Sequence, residues 1–381
     1  MMKLSVLACA AAAYAANSLS VLQFENFGFD GSYTPVAALN NPDSDQCSCE
    51  AGKPVTFSGP SAPLNGEVSV HFRGPLILHN FAFYTSDNFA KDDSSSSDWT
   101  KVSSYDGTSA KNATFLTTAG KDSKCLGKAL TYAGSDGISK ADEPTVLGQN
   151  TLIKSNQEYV IFSSTKCGDS GVDGDCGVYR KGIPAYHGFS NAIKMFLFEF
   201  EMPTDNDGSS DSVPNFNMPA IWLLNAQIPR TSQYQTNATY VNCSCWRSGC
   251  GEFDIFEVMN STDSGKLVST IHDYQQTDDI ESGRVIDGYI DRKTSGRMLG
   301  GVYFDEKSNA VVFMHDKITF NDTIKAADVN KWVKDSGKVA TSDLSQAPGK
   351  DQSTKKGAAA SLDVSGSKVA AVVAAMVAWF L

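Results

Sequence analysis

The feature that most constrains the fold is a recurring alternation of apolar and polar residues with a period of two. In the segment 195–201, three phenylalanines occupy alternate positions, and Glu199 and Glu201 lie between and beyond them. Successive side chains of a strand point to opposite faces, so this pattern predicts a strand with one face in the core and one in solvent. Further strand-like runs lie at 68–72, 76–84, 152–163, 221–224, 253–258, 267–271 and 310–314. Since no long amphipathic helix separates them, they predict an all-β chain of the sandwich or barrel type.

Changes in composition along the chain predict its domain organisation. The polar, low-complexity tract 92–98 follows the first two predicted strands and is typical of a solvated loop or a domain boundary. We therefore expect a small β-rich accessory module at 17–94 and the main β-sandwich domain at 95–340. The segment 341–360, rich in Ser, Lys, Ala and Gly, predicts a short stalk.

Both ends of the chain carry targeting signals. At 1–16, Lys3 precedes a short apolar run of small residues, which predicts a cleaved secretory signal peptide; a membrane anchor needs about 20 apolar residues. At the other end, small residues at 357–360, a polar spacer and the apolar tail 369–381 form a GPI-attachment signal, with 361–381 removed. These signals predict a secreted protein of the cell surface or cell wall, joined to the outer plasma membrane by a lipid anchor.

Eight cysteines remain after the signal peptide leaves with Cys9: Cys47, Cys49, Cys125, Cys167, Cys176, Cys243, Cys245 and Cys250. An even set in an oxidising compartment predicts disulfides, and the sequence leaves their pairing open. The C-x-C spacing at 243–245 differs from the C-x-x-C of zinc sites, so no metal and no cofactor is predicted at a functional site. A structural calcium stays open, although no EF-hand spacing occurs.

The charge of the chain limits its partners. A formal net charge of −11 over 381 residues argues against nucleic acid and against an anionic lipid surface. A neutral polymer or a small molecule fits this charge better. Five glycosylation sequons agree with an exterior protein; their asparagines are Asn112, Asn237, Asn242, Asn260 and Asn321.

Three carboxylates are the candidate catalytic residues. In a regular strand Glu252 and Asp254 point to one face, and parity would leave Glu257 on the apolar face. A buried unpaired carboxylate is costly, whereas one extra residue inserted as a β-bulge near 255–256 returns Glu257 to the face of the other two. The spacing therefore predicts a bulged strand with three carboxylates on one surface.

Carboxylates crowded in this way suit glycoside hydrolysis. Mutual repulsion raises at least one pKa, so that one carboxyl group keeps a proton for the leaving oxygen while another stays ionised. In retaining enzymes the second carboxylate attacks the anomeric carbon from about 5–5.5 Å away. An acidic surface strand or a calcium site is the alternative interpretation of the same spacing.

The segment 251–257, Gly-Glu-Phe-Asp-Ile-Phe-Glu, resembles the bulged E-I-D-x-x-E strand of glycoside hydrolase family 16, a group of concave, jelly-roll β-sandwiches. The segment 218–224 is similar to the W-P-A-x-W strand of that family, with Met218 in place of tryptophan, and Phe253 replaces the usual isoleucine. The runs 198–203 and 267–272 match its neighbouring strands. A closer resemblance is to fungal cell-wall proteins of the Tos/Toh type, which pair such a domain with an N-terminal module.

The resemblance implies roles for individual residues. Glu252 would be the nucleophile, Asp254 its electrostatic partner and Glu257 the acid/base. Trp222 and His272 are candidate substrate-binding residues, with core packing and a structural histidine as their alternatives. Tyr274, two residues after His272, is expected to share its face and contact substrate. By contrast, Trp246 beside Cys245 is expected to pack on a disulfide.

Together these features predict a retaining, endo-acting β-1,3-glucan hydrolase of the cell wall, working as a monomer on a β-glucan polysaccharide. Two alternatives stay open. The same carboxylates serve a wall transglycosylase that uses a second sugar as acceptor. A glucan-binding wall protein that lost turnover is the non-catalytic alternative.

Overall fold

In the computed structural model of the protein, residues 18–234 and 237–345 are described, and most of their regular structure is β-strand. The strands are β1 (Ser18–Leu19), β2 (Val21–Glu25), β3 (Gly31–Tyr33), β4 (Val36–Asn40), β5 (Ser48–Ala51), β6 (Val55–Phe57), β7 (Val68–Arg73), β8 (Leu76–Thr85), β9 (Trp99–Tyr105), β10 (Ala110–Lys111), β11 (Thr114–Thr117), β12 (Thr131–Ala133), β13 (Lys140–Ala141), β14 (Leu152–Ile153), β15 (Glu158–Phe162), β16 (Lys194–Glu201), β17 (Ala220–Asn225), β18 (Glu252–Glu257), β19 (Lys266–His272), β20 (Arg284–Val285), β21 (Tyr289–Asp291), β22 (Met298–Phe304), β23 (Ala310–Met314), β24 (Thr323–Ile324) and β25 (Val339–Asp343). The helices are α1 (Gln227–Thr231) and α2 (Ala326–Asp335), with short 3-10 turns at Ala238–Cys243, Trp246–Ser248 and Ser261–Asp263. The predicted all-β class is confirmed.

Two large sheets form the sandwich. The first has eleven strands, ordered β1-β21-β19-β18-β17-β7-β15-β11-β12-β13 with β20 beside β19. The second has ten, ordered β10-β9-β8-β16-β22-β23-β2-β25, with β14 beside β8 and β24 beside β9. Two small hairpins, β3-β6 and β4-β5, complete the β-structure.

The main core lies between the two sheets and follows from the alternation in the sequence. On β16, Phe196, Phe198 and Phe200 are buried in this core, whereas Leu197 belongs to a second cluster on the opposite side of the same sheet. That second cluster packs under α2, where Trp332 stacks near Phe313 with ring centroids 6.5 Å apart. The face of β16 that was expected in solvent is therefore buried at Met195 and Leu197, and only Glu199 and Glu201 on that face are partly exposed.

Strands from residues 17–94, the segment expected to be an accessory module, lie inside both sheets. β7 is hydrogen-bonded between β17 and β15 in the first sheet, and β8 lies between β9 and β16 in the second. β2 pairs with β23 and, in parallel, with β25. The expected boundary near residue 94 thus falls within one continuous pair of sheets, because segments far apart in sequence supply alternate strands.

Two further features differ from the sequence-based expectations. The predicted strand 152–163 is two strands in different sheets, β14 and β15, and Asn156 between them adopts a left-handed φ of 63°. The short amphipathic helix α2 was not predicted; four of its residues are buried, Ala326, Val329, Trp332 and Val333. Four consecutive polar residues, 154–157, separate the two strands and form the turn that carries Asn156.

The eight cysteines form four disulfides, which confirms the prediction from their even number: Cys47–Cys125, Cys49–Cys243, Cys167–Cys176 and Cys245–Cys250. Within 18–234 and 237–345 no helix is long and apolar enough to cross a membrane. The predicted signal peptide, the lipid-attachment region and the apolar tail lie outside the described residues. The expected stalk begins within β25, and the rest of it beyond Ser345 also lies outside them.

Candidate functional site

The site is built on the bulged strand β18. Against β17, Ile221 pairs with Phe256 and Trp222 with Asp254, so that Ile255 is the extra residue. The register against β19 shifts at the same place. The predicted bulge near 255–256 is confirmed, and it turns both Ile255 and Phe256 into the core.

The bulge leaves Glu252, Asp254 and Glu257 together on the opposite face, which we call the site face of the first sheet. Asp254 is 5% exposed, and the two glutamates are partly exposed at either side of it. Gly251 lets the start of the strand pack against the segment between β6 and β7, because it has a φ of 107° and a Cβ there would lie 2.7 Å from Leu64.

The histidine on the neighbouring strand pairs with the central carboxylate. His272 Nε2 lies 3.1 Å from Asp254 Oδ2, and its Nδ1 hydrogen-bonds to the carbonyl of Ile280 at 2.5 Å. Burial works against a charged imidazole, but the hydrogen bond and charge of Asp254 outweigh it and raise the pKa of His272 to about 10. A cationic His272 therefore balances the charge of Asp254 between the two glutamates.

Arg73 of β7 reaches across β17 to the last carboxylate. Its Nη2 donates to Glu257 Oε1 at 3.1 Å, and its Nε donates to the carbonyl of Met218 at 2.7 Å. The guanidinium carbon also lies 5.9 Å from the ring centroid of Trp222. Because a backbone carbonyl and an indole fix its orientation, Arg73 holds Glu257 in one position.

The indole of Trp246 donates from Nε1 to Glu252 Oε2. Trp246 lies in a 3-10 turn that the Cys245–Cys250 disulfide closes, and its ring centroid is 6.2 Å from that of His272. Trp246 was expected only to pack on the disulfide. The structure shows, in addition, a direct hydrogen bond from Trp246 to a candidate catalytic residue.

Burial and crowding shift the protonation of both glutamates in the same direction. Burial first, and the charge of Asp254 second, raise the pKa of Glu252 and of Glu257. His272 lowers the pKa of both glutamates, the Trp246 N–H lowers that of Glu252 in addition, and Arg73 lowers that of Glu257. The pair can therefore share one proton near neutral pH, which is the state that acid/base chemistry on a glycosidic bond requires.

The other predicted binding residues have different surroundings. Trp222 lies on the site face beside Asp254 but is only 4% exposed, and it packs on the ring of His71 at a centroid distance of 5.0 Å. Tyr274 was expected to share the face of His272. That alternation does not hold, because β19 ends at His272 and Tyr274 has a φ of 71°. Its hydroxyl donates to the carbonyl of Arg247 at 2.9 Å.

The two departures from the family pattern lie in the core. Met218 is 7% exposed and Phe253 is fully buried, and both belong to the main hydrophobic cluster. The Phe253 ring contacts Phe24 edge-on at 5.6 Å. Position 218 therefore serves packing, and its backbone carbonyl anchors Arg73.

Sequence reasoning missed Arg73 and the residues around it. The alternation in β7 places Ser69, His71 and Arg73 on one face, and this pattern was visible in the sequence. His71 is buried, its Nε2 lies 2.8 Å from Ser69 Oγ, and burial lowers its pKa to about 3. What the sequence did not show was that β7 lies two strands from β18, so that this polar face meets the carboxylates.

Within the described ranges, two clusters each bring three possible metal-ligating side chains together, and both consist mainly of cysteines. One joins Cys49, Cys125 and Cys243, and the other joins Cys167 and Cys176 with His187. All five cysteines are in disulfides. A metal is bound by thiolates, so neither group is suited to an ion while these bonds are formed.

Two family models of the cell wall protein YJL171C/Tos1 match the chain, the N-terminal model over residues 20–86 and the C-terminal model over residues 97–332. The chain is 58% identical to a probable circularly permuted 1,3-beta-glucanase, PGA52, of Candida albicans, over 90% of this chain and 89% of the relative. It is 52% identical to the probable circularly permuted 1,3-beta-glucanase YJL171C of Saccharomyces cerevisiae, over 84% and 81%. No solved structure matches.

Proposed function

Since this chain belongs to the YJL171C/Tos1 family of cell-wall proteins, we propose that it is a glycoside hydrolase acting on β-1,3-glucan of the cell wall. The observation that carries the proposal is the bulged strand β18, which gathers Glu252, Asp254 and Glu257 on one face with a different hydrogen-bond donor beside each. The names of the relatives support β-1,3-glucan as the substrate class. Those names also describe a circular permutation, which agrees with N-terminal strands that lie in the middle of both sheets.

The proposed reaction is a double displacement with retention. A Glu252 oxygen attacks the anomeric carbon while Glu257 gives its proton to the glycosidic oxygen, so that the C–O bond breaks and a glycosyl ester forms. Glu257, now ionised, takes a proton from water, which attacks the anomeric carbon and releases Glu252. His272 balances Asp254 throughout, and Arg73 stabilises Glu257 in its ionised form between the two steps.

The decisive test compares wild type with Glu252→Gln and Glu257→Gln on a reduced β-1,3-gluco-oligosaccharide and on insoluble β-1,3-glucan. We expect Glu257→Gln to reduce turnover by about 10²–10⁴-fold, since it removes the general acid/base, and Glu252→Gln to abolish it. Both variants should still be retained by insoluble glucan. Proton NMR of the first products should show the β-anomer. If wild type binds the glucan but neither cleaves nor transfers it, the enzyme proposal is wrong and a binding protein remains.

Product length separates hydrolysis from transfer. Oligosaccharides longer than the substrate arise only when a second sugar replaces water as acceptor. Their dominance would identify the protein as a wall transglycosylase that uses the same carboxylates.

We further propose that the protein is held at the cell surface by a lipid anchor attached within 357–360. The small residues and the apolar tail in the sequence support this anchor. Release of the protein from intact cells by a phosphatidylinositol-specific phospholipase C tests it, and a protein that stays cell-bound after that treatment contradicts it.

A further inference from the structure

A cavity of about 240 Å³ lies beside the first sheet, away from the carboxylates. We propose that this cavity, which we call the side cavity, binds one sugar ring of the β-glucan at a distance from the scissile bond. This inference rests on the proposed function and adds a second binding site to it. The lining residues that the inference uses are Thr118, Leu130, Ile183, Pro229, Arg230 and Gln233, with Tyr234 at the border.

Two hydrogen-bond donors lining the side cavity lack a partner among the described residues. Arg230 is 2% exposed, and its Nε makes no hydrogen bond. The amide Nε2 of Gln233 is likewise buried without a partner. Leaving a buried N–H unpaired costs free energy, so native proteins rarely do so without a reason such as a ligand. Both donors belong to side chains of the cavity wall, and a ligand with several acceptor oxygens would pair them once these side chains turn toward it.

The charges around the cavity favour a neutral ligand over an anion. Arg230 already pairs with Glu67 at 3.5 Å. Arg180, a second arginine of the cavity, pairs with Asp43 at 3.2 Å and donates to the carbonyl of Gly127. Both guanidinium charges are thus balanced by carboxylates. The other two charged lining residues, Asp122 and Lys128, carry opposite charges.

The rest of the lining suits a sugar ring in particular. Leu130, Ile183 and Pro229 supply apolar surface, and Tyr234 adds an aromatic ring that is 46% exposed. Apolar walls with a few convergent polar groups are typical of small-molecule sites, and aromatic rings suit the apolar C–H faces of sugars. The volume lies below the roughly 300–1,000 Å³ of drug-sized pockets, so it matches one ring rather than a chain segment.

Tyr234 connects the side cavity to the strand beside Arg73. The Tyr234 hydroxyl donates to Glu158 at 2.7 and 2.9 Å. Glu158 lies opposite Arg73 in the register of β15 and β7, and Arg73 pairs with Glu257. Tyr234 therefore stands between the cavity and the site face, in contact with the same polar row.

The sheet order gives the distance that a glucan has to cover. Thr118, the residue that follows β11, lines the cavity. β11 is four strands from β18, which corresponds to about 19 Å at a strand spacing of about 4.8 Å. A glucan lying across the strands from the carboxylates would reach the side cavity only after several sugar units. The site therefore distinguishes long substrates from short ones.

Chain-length dependence tests the proposal. kcat/KM is measured for β-1,3-gluco-oligosaccharides from tri- to octasaccharide with wild type, Gln233→Ala, which removes a donor, and Gln233→Trp, which fills the cavity. The matched control is Lys181→Ala, an exposed side chain that does not line the cavity. We expect the ratio of kcat/KM for octasaccharide to that for trisaccharide to fall about 3–10-fold in Gln233→Ala and further in Gln233→Trp. Lys181→Ala should keep the wild-type ratio, and circular dichroism melting verifies that each variant is folded.

Calorimetric binding of the same oligosaccharides to folded Glu252→Gln protein separates this inference from the proposed function. If Gln233→Ala weakens octasaccharide binding in the Glu252→Gln protein, the side cavity is a sugar site. If, at the same time, wild type does not cleave any of the oligosaccharides, the enzymatic proposal is overturned and the side-cavity proposal stands. Cleavage whose length dependence is the same in wild type and both Gln233 variants would overturn the side-cavity proposal and leave the enzyme intact. Tighter binding of inorganic phosphate than of any oligosaccharide, lost in Gln233→Ala, would also overturn it.

Discussion

The three carboxylates of β18 differ in what faces each of them. Glu252 accepts an indole N–H, Asp254 pairs with His272, and Glu257 pairs with Arg73. A full positive charge stabilises an ionised carboxylate more than a neutral donor does. Arg73 therefore favours the ionised Glu257 that the proposed double displacement needs between its two steps. Burial and the charge of Asp254 act in the other direction and favour the protonated Glu257 that the first step needs.

Replacing Arg73 by Met should move the alkaline side of the pH profile upward. Activity falls at high pH when Glu257 loses its proton, and the charge of Arg73 lowers the pKa of Glu257 against the opposing influence of burial. Without that charge Glu257 keeps its proton to higher pH, so we expect the alkaline limb of kcat/KM to rise by about one pH unit or more. The acid limb, governed by ionisation of Glu252, should lie above the ordinary value of about 4.3 in both proteins.

Arg73→Lys is the control, because it keeps the charge while losing the bond to the Met218 carbonyl. Its alkaline limb should stay near that of wild type even if kcat falls. A Met variant with lower activity but an unshifted pH profile would show that Arg73 has only a structural role.

At this scale the sequence predicts the residues of one strand better than their neighbours. Glu252, Asp254 and Glu257 follow from parity within six consecutive residues, and His272 follows from the adjacent strand in the resemblance. Arg73 lies 184 residues from its partner Glu257. Only the pairing of β7 with β17 brings them together, and no local pattern encodes that pairing.

At the scale of elements, the bulge in β18 is the feature on which the site depends. One extra residue reverses the parity of every position after it, so Ile255 decides which face Glu257 occupies. The bulge was predictable because the alternative, a carboxylate in the core, is costly. The polar run 154–157, with Asn156 at a left-handed φ, also marks the division of 152–163 into β14 and β15. What no local pattern encodes is that the two halves belong to different sheets.

Inserting one alanine after Ile255 should test the parity of β18 directly. With one further residue in the strand, Glu257 would point into the core and separate from Arg73, and breaking such a pair costs about 3–5 kcal/mol. We expect loss of turnover and a free energy of unfolding in denaturant that is lower by about that amount.

Ile255→Val keeps the extra residue and removes one methylene group, so it should cost only about 0.5–1.5 kcal/mol and retain turnover. An insertion variant that is as active as the Val variant would show that the parity of β18 does not position Glu257.

The whole molecule is held together by contacts that cross the predicted domain boundary. β7 and β8 are interior strands of different sheets, and two disulfides join the first segment to the second, Cys47 to Cys125 and Cys49 to Cys243. The family models divide the chain near the same place, between residues 86 and 97. Composition marks that boundary correctly as a polar loop, but composition does not report which strands pair across it.

Residues 95–340 produced alone should therefore fail to fold. Removing 17–94 takes the interior strand β7 from the first sheet and the interior strands β2 and β8 from the second. The edges of β17, β15, β9, β16 and β23 are then unpaired and the apolar side chains beneath them exposed. We expect an aggregated product, or one without a cooperative thermal transition and without retention on insoluble β-1,3-glucan. The measurement is a melting curve followed by circular dichroism, with the 17–340 chain, which ends at the same residue, as reference.

Producing 17–94 and 95–340 together as separate chains in an oxidising compartment distinguishes missing strands from a damaged fragment. If the strands only need to be present, the two chains should assemble, because β7 and β8 can pair from a separate chain and the two disulfides then link them covalently. Non-reducing electrophoresis should show one joined species, and glucan retention should return with it. A fragment 95–340 that melts cooperatively and binds glucan by itself would instead establish the first segment as an independent module and contradict the interleaved fold.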